Sequence, residues 1–346
     1  MRWWPALLVL AMLFGCSKAP DVVAYTPAEK KAEPAVDADP LALLPSGMIG
    51  LVALDMKPLL SASFGNEMAA LSERFAPLPR SADFDPRQDV DRVIIATYSL
   101  QGVDYIGVAR GRFNRAAIEE AAKSGEPSPL GAPIAQSTYA GRSVIAVQDA
   151  AMTVLSDQTV LFGSTTALQR ALDRIQEGHV ERKLPSWLDK LLATPNAPIV
   201  AGLDLAGQAP PDALRRQLSF LDGLETARVV GNYESPGLNL AGTLTYGEAA
   251  AAERGAESLN RTQELMARYE WVFKALGVGQ PLERLQAEPR DKEATFVVAV
   301  NGDALRQLLV RLPTLNPSAF APGTSERPPD SAATRGEPAT VAPAQP

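Results

Sequence analysis

The 346-residue chain carries 33 Lys and Arg against 40 Asp and Glu, with one His and one Cys, for a net charge of −7. Hydrophobic residues make up 46% and charged residues 21%, the balance of a globular protein. An acidic body without a basic block argues against nucleic acid and against charge attraction to anionic lipid heads. The single Cys excludes an intrachain disulfide, so burial alone must hold the fold, for which about 270 ordered residues suffice.

The first element is a leader. Arg2 is followed by an apolar run over residues 3–14, broken by Pro5. A positive start and about a dozen apolar residues make a secretory signal, whereas a membrane-spanning helix needs about 20. The run ends in Leu13-Phe14-Gly15-Cys16. This segment resembles the lipobox of bacterial lipoproteins, which is a Leu, two small residues and then Cys; Phe14 departs from that pattern. The resemblance implies cleavage between Gly15 and Cys16 and a diacylglycerol on the Cys16 thiol. A lone Cys in an exported chain needs such an explanation. Loss of Arg2 with the leader takes the net charge from −7 to −8. Ser17, where the resemblance would place Asp for inner-membrane retention, implies the outer membrane, facing the periplasm or the cell surface.

The rest of the chain divides by composition. Residues 16–38 read as the lipidated Cys and a disordered Pro- and Ala-rich linker, and 313–346 as a disordered Pro-rich tail. Two α+β units are expected between them, over 39–184 and 185–312. In the first, strands are predicted over 48–54, 92–98, 105–112, 144–147, 152–155 and 159–163, with helices over 59–75, 115–123 and 165–177. In the second, strands are predicted over 228–233, 238–246, 285–288 and 296–300, with helices over 212–221, 248–276 and 303–312. Leu238, Leu240, Gly242, Leu244 and Tyr246 fall on one face of their strand and Asn239, Thr243 and Thr245 on the other. In the long helix, Leu259, Met266, Tyr269, Phe273 and Leu276 form one stripe.

The order of elements repeats between the halves, and some letters repeat with it. Leu54-Asp55 and Leu203-Asp204 end the first strand of each half. Ala167-Leu168-Gln169-Arg170 matches Ala304-Leu305-Arg306-Gln307, and both follow a strand. The fold expected is α+β: two pseudo-repeated units of ferredoxin-like order, with an antiparallel sheet and helices on one face. Whether the units share one sheet stays open. The body faintly resembles uncharacterised lipoproteins with duplicated α+β domains.

Candidate chemistry is sparse. Asp83, Asp85, Asp89 and Asp91 cluster, but without the spacing, central Gly or closing Glu of a calcium loop, and Pro86 points to turns and caps. His179 sits at a predicted helix end. With one His, paired carboxylates such as Asp55 and Asp204, or Glu119 and Glu120, would have to carry any hydrolysis; helix capping is the plainer role for a strand-end Asp. No Walker loop, G-x-G-x-x-G or G-x-S-x-G occurs, so no cofactor, metal or catalytic residue is expected. The leading expectation is a non-enzymatic binding or scaffold module of the cell envelope. It would be held to the membrane by its lipid and engage an envelope protein, not nucleic acid. The alternative is a carrier of a lipid or other apolar ligand, held under the long apolar-striped helix.

Overall fold

A computed structural model describes residues 36–102, 104–268, 271 and 279–311. Gly15 and Cys16, the linker up to residue 35 and the tail lie outside the described residues, as do Tyr269, Phe273 and Leu276 of the long-helix stripe.

The strands are β1 (Gly50–Asp55), β2 (Val90–Thr97), β3 (Tyr105–Gly111), β4 (Ala135–Tyr139), β5 (Arg142–Val147), β6 (Ala150–Ser156) and β7 (Thr159–Ser164) in the first half. The second half supplies β8 (Ile199–Asp204), β9 (Leu224–Asn232), β10 (Gly237–Tyr246), β11 (Leu282–Arg290) and β12 (Glu293–Asn301). They form one 12-stranded sheet in the order β11-β12-β10-β9-β8-β1-β2-β3-β7-β6-β5-β4. All the pairings among these strands are antiparallel. The chain is thus α+β with an antiparallel sheet, as expected, and the two units share it.

The duplication is visible in the topology. The run β1-β2-β3-β7-β6 is matched outward from the centre by β8-β9-β10-β12-β11. The two first strands pair with each other, Gly50 opposite Leu203 and Leu54 opposite Ile199. The ferredoxin-like order is corrected. A split β-α-β unit places another strand between the two that its helix joins, whereas here β1 pairs directly with β2 and β2 with β3.

The expectation of helices on one face is corrected too. Side chains alternate along β2: Ile94 and Ala96 enter one core, while Val93 packs into another on the opposite face. A strand apolar on both sides reads as a continuous run and needs cover on both faces. The back face is covered by a 3-10 turn (Pro40–Leu43) and two helices, α5 (Thr165–Gln176) and α6 (Ser186–Leu192). In α5, Ala167, Leu168, Ala171, Leu172 and Ile175 are all buried at helical spacing. Ser164 caps it, accepting from the Ala167 N–H at 3.4 Å.

The front face carries α1 (Met56–Ser61), α2 (Gly65–Phe75), α3 (Pro86–Asp89) and α4 (Arg115–Lys123) over the first half. Over the second half lie α7 (Asp212–Gln217), a 3-10 turn (Ser219–Leu221) and α8 (Ala249–Arg268). The last helix, α9 (Gly302–Arg311), crosses back: Leu305 and Leu309 pack into the first half's front core, against α2. Its sequence counterpart, α5, sits on the back face.

The single helix expected over 59–75 is two helices. The break falls where α2 starts, because a Cβ on Gly65 would overlap the Leu60 carbonyl. Only glycine lets the chain fold back so closely. The strand β4 and the short helices α3 and α6 are elements that the apolar pattern does not mark.

Candidate functional site

The front face of the first half holds an apolar cavity of about 350 Å³. Its floor is the sheet: Leu54 on β1, Val93 and Ile95 on β2, Tyr105 and Ala109 on β3, and Val160 and Phe162 on β7. One wall is α2, through Met68, Ser72 and Phe75, and the segment after it, Ala76-Pro77-Leu78. The opposite wall is Phe113, Ile118 of α4 and Met152 of β6.

Local sequence builds this shape. Pro77 ends α2 at Ala76, since the residue before a proline is pushed out of helical geometry. The chain from 76 to 85 then runs over the sheet instead of packing as a helix, and Leu78 and Phe84 close that side. Gly107 removes a side chain from the floor, and the Phe162 ring lies in the space left: a Cβ at Gly107 would overlap that ring. Met56, Met68 and Met152 line the space. Methionine is unbranched and polarisable, and it adapts to an irregular occupant.

Two side chains lining the cavity carry polar groups. The Ser72 Oγ donates to the Met68 carbonyl at 2.9 Å, so its proton is already engaged within the helix. Tyr105 is partly buried in the floor, and burial raises its phenol above the ordinary value, so it is a neutral donor at physiological pH. The rim is wet and apolar at once. Phe75 is 64% exposed, and Val52, which pairs with Ile95 on the same face, is 37% exposed although β1 is central in the sheet. Such a space can take up an apolar chain.

Beside it lies a second hollow, of about 590 Å³, sharing Ala76, Leu78 and Phe84 as a common wall. Its remaining lining includes Glu73, Arg74, Arg80 and Pro129.

The residues singled out in the sequence lie elsewhere. Asp55 and Asp204 end adjacent strands, but antiparallel pairing puts them at opposite ends. The Asp55 N–H donates to Pro198 and the Asp204 N–H to Ile49. Six residues of strand separate them, roughly 20 Å. Asp55 pairs with Arg92 at 3.5 Å, and Asp204 accepts from the Ala206 N–H at 3.1 Å. Glu119 pairs with Arg115 at 2.8 Å and Glu120 with Lys123 at 3.5 Å. In the aspartate cluster, Asp85 caps α3 through the Arg87 N–H at 2.9 Å, and Asp89 accepts from the Asp85 N–H at 2.8 Å. Among the described residues no group of three His, Cys, Asp or Glu is placed to hold a metal. His179 is exposed just past α5, 3.0 Å from Glu177.

The cavity itself escaped sequence reasoning. Its lining comes from α1, α2, α3, α4, five strands and irregular segments, and no short motif spans them. The available signal was the Ala76-Pro77-Leu78-Pro79 run after an amphipathic helix.

No protein-family model matches this chain, and no curated protein sequence is similar to it. Its fold is similar to that of TP0453. Against crystal form III of that protein the TM-score is 0.52 at 12% identity, covering 80% of this chain and all of the other. Against crystal form I the TM-score is 0.49 at 11% identity, covering 78% of this chain and 96% of the other. At such identity the likeness is one of fold.

Proposed function

We propose that this protein is a lipid-anchored, non-enzymatic envelope protein that binds an apolar ligand in the cavity between α2 and the sheet. The observation that carries the reading is the cavity lining: 19 of its 21 residues are apolar, and the two exceptions are Ser72 and Tyr105. Apolar surface lining an open hollow is not removed from water, and an apolar guest that covers it contributes about 25 cal/mol per Å². Exposed, contiguous apolar surface marks a binding site more often than an accident of packing. The volume falls in the range of ligand pockets, about 300–1,000 Å³. This favours the ligand-binding alternative over a protein scaffold.

Anchoring rests on Cys16, which the lipobox-like Leu13-Phe14-Gly15-Cys16 marks for diacylglycerol, followed by cleavage between Gly15 and Cys16. Among the described residues no helix is long and apolar enough to cross a membrane, and each buried methylene of a lipid contributes about 0.8 kcal/mol to attachment. Labelling of cells with an alkyne fatty acid should mark the wild-type chain and not Cys16→Ser. Ligand binding is tested by native mass spectrometry of the full chain carrying Cys16→Ser, purified without detergent. The expected result is a population heavier than the apo mass that a solvent extraction removes. A single apo mass that also fails to take up added Nile red overturns the reading.

A further inference from the structure

We infer that the ligand is an anionic amphiphile with one acyl chain, its chain in the apolar cavity and its head held by Arg74 and Arg80. This rests on the apolar-ligand reading above and names the chemistry of its polar end.

The two hollows share a wall made of Ala76, Leu78 and Phe84, so apolar and polar compartments lie back to back. On the polar side stand two guanidinium groups. Arg74 is on the last turn of α2 and Arg80 opens the 3-10 turn Arg80–Ala82. Neither has a hydrogen bond or ion pair among the described residues. Most other arginines of the body do: Arg92 with Asp55, Arg115 with Glu119, Arg170 with Asp104, and Arg182 with Asp39 and Asp189. These two guanidinium groups, six residues apart in sequence, line one hollow. The one carboxylate there, Glu73, is turned to Arg87 at 3.9 Å.

Leu78 of the common wall stands between two prolines, Pro77 and Pro79. An acyl chain entering beside Phe75 leaves its head at the end of α2, within the span of a long arginine side chain. A planar guanidinium suits a carboxylate or phosphate through paired hydrogen bonds. A neutral head would leave both cations unpaired.

The test uses the full chain carrying Cys16→Ser, with bound Nile red as reporter, displaced by palmitate, by hexadecanol and by the lysophosphatidic acid of the same chain length, all below their micellar concentrations. Both anions should displace the dye at about tenfold lower concentration than hexadecanol, the discrimination of one charge-assisted hydrogen bond. Whichever anion leads identifies a carboxylate or a phosphate head. Arg74→Gln combined with Arg80→Gln should abolish the preference and leave hexadecanol unchanged, with an unaltered circular dichroism spectrum. Equal displacement by acid and alcohol, or a preference that survives the double substitution, overturns this inference and leaves the apolar cavity standing. Displacement by none of the three overturns both.

Discussion

The ring of Phe162 lies across Gly107 of the adjacent strand, and the same arrangement recurs in the other half, where Phe296 lies across Gly242. The four residues occupy corresponding strands of the two repeats, β7 and β3 in one, β12 and β10 in the other. In both, the missing Cβ lets an aromatic ring lie flat on the sheet. In the first half that ring forms cavity floor. In the second, α8 covers the sheet, with Gly255 packed on the Tyr246 phenol.

Gly107→Ala should therefore lift the Phe162 ring into the cavity. The cost expected is about 1–3 kcal/mol, as for other overpacked sites, read as a lower urea midpoint with an unchanged slope. Nile red affinity should fall with it, because the displaced ring takes the guest's space.

Ser72→Trp separates binding from stability. Ser72 faces the cavity from a half-exposed helical position, and its own hydrogen bond goes back to Met68 within the helix. An indole there fills the hollow with no backbone change. Dye and fatty acid binding should drop at least tenfold while the thermal midpoint holds or rises. A variant that binds normally would show the guest sits elsewhere.

Leu188→Ala should destabilise by about 2–5 kcal/mol, although α6 is a short helix with no strong pattern. Leu188 is 2% exposed and sits in the back core with Val200 and first-half residues such as Leu51. Leu309 and Leu238 of the second half likewise complete the first half's front core. Urea unfolding of the full chain should show a single transition, and residues 39–184 alone should not unfold cooperatively.

Acid should release the segment 36–44 from the sheet. Burial pushes the Asp37 carboxyl up, but hydrogen bonds from Ser156 at 2.5 Å and Thr159 at 2.6 Å, with Arg110 nearby, hold it below the usual range. Burial likewise raises Asp39, while Arg182 and the Leu41 N–H lower it further than burial raises it. A carboxyl with a depressed folded-state value contributes stability above the unfolded value of about 3.9. That contribution is lost as pH falls through the folded-state value. Asp37→Asn should lower the urea midpoint at pH 7 and narrow the loss between pH 5 and pH 3.

Much of the fold was legible. Alternation in β10 placed Leu238, Leu240, Leu244 and Tyr246 on one face and Asn239, Thr243 and Thr245 on the other, and the register bears this out. The spacing in 115–123 and 165–177 became α4 and α5 almost to the residue. What misled was local similarity. The Ala167 and Ala304 helices match in letters but pack on opposite faces, because α5 meets the back of its own half whereas α9 finds α2 of the other half. Leu54-Asp55 and Leu203-Asp204 are true equivalents, yet antiparallel pairing of the central strands sends their carboxylates apart.

The sequence by itself determined the acidic body, the repeated order of elements and most strands and helices, because these are written in residues close along the chain. Only the tertiary structure decided that the two units share one sheet, that helices cover both its faces, and that α2 stands off the strands to leave a hollow. Those outcomes depend on which surfaces meet. Met68, Ile95, Phe113 and Phe162 each read as ordinary core in the sequence; what makes them line a cavity is that α2, ended by Pro77, fails to close the space between them.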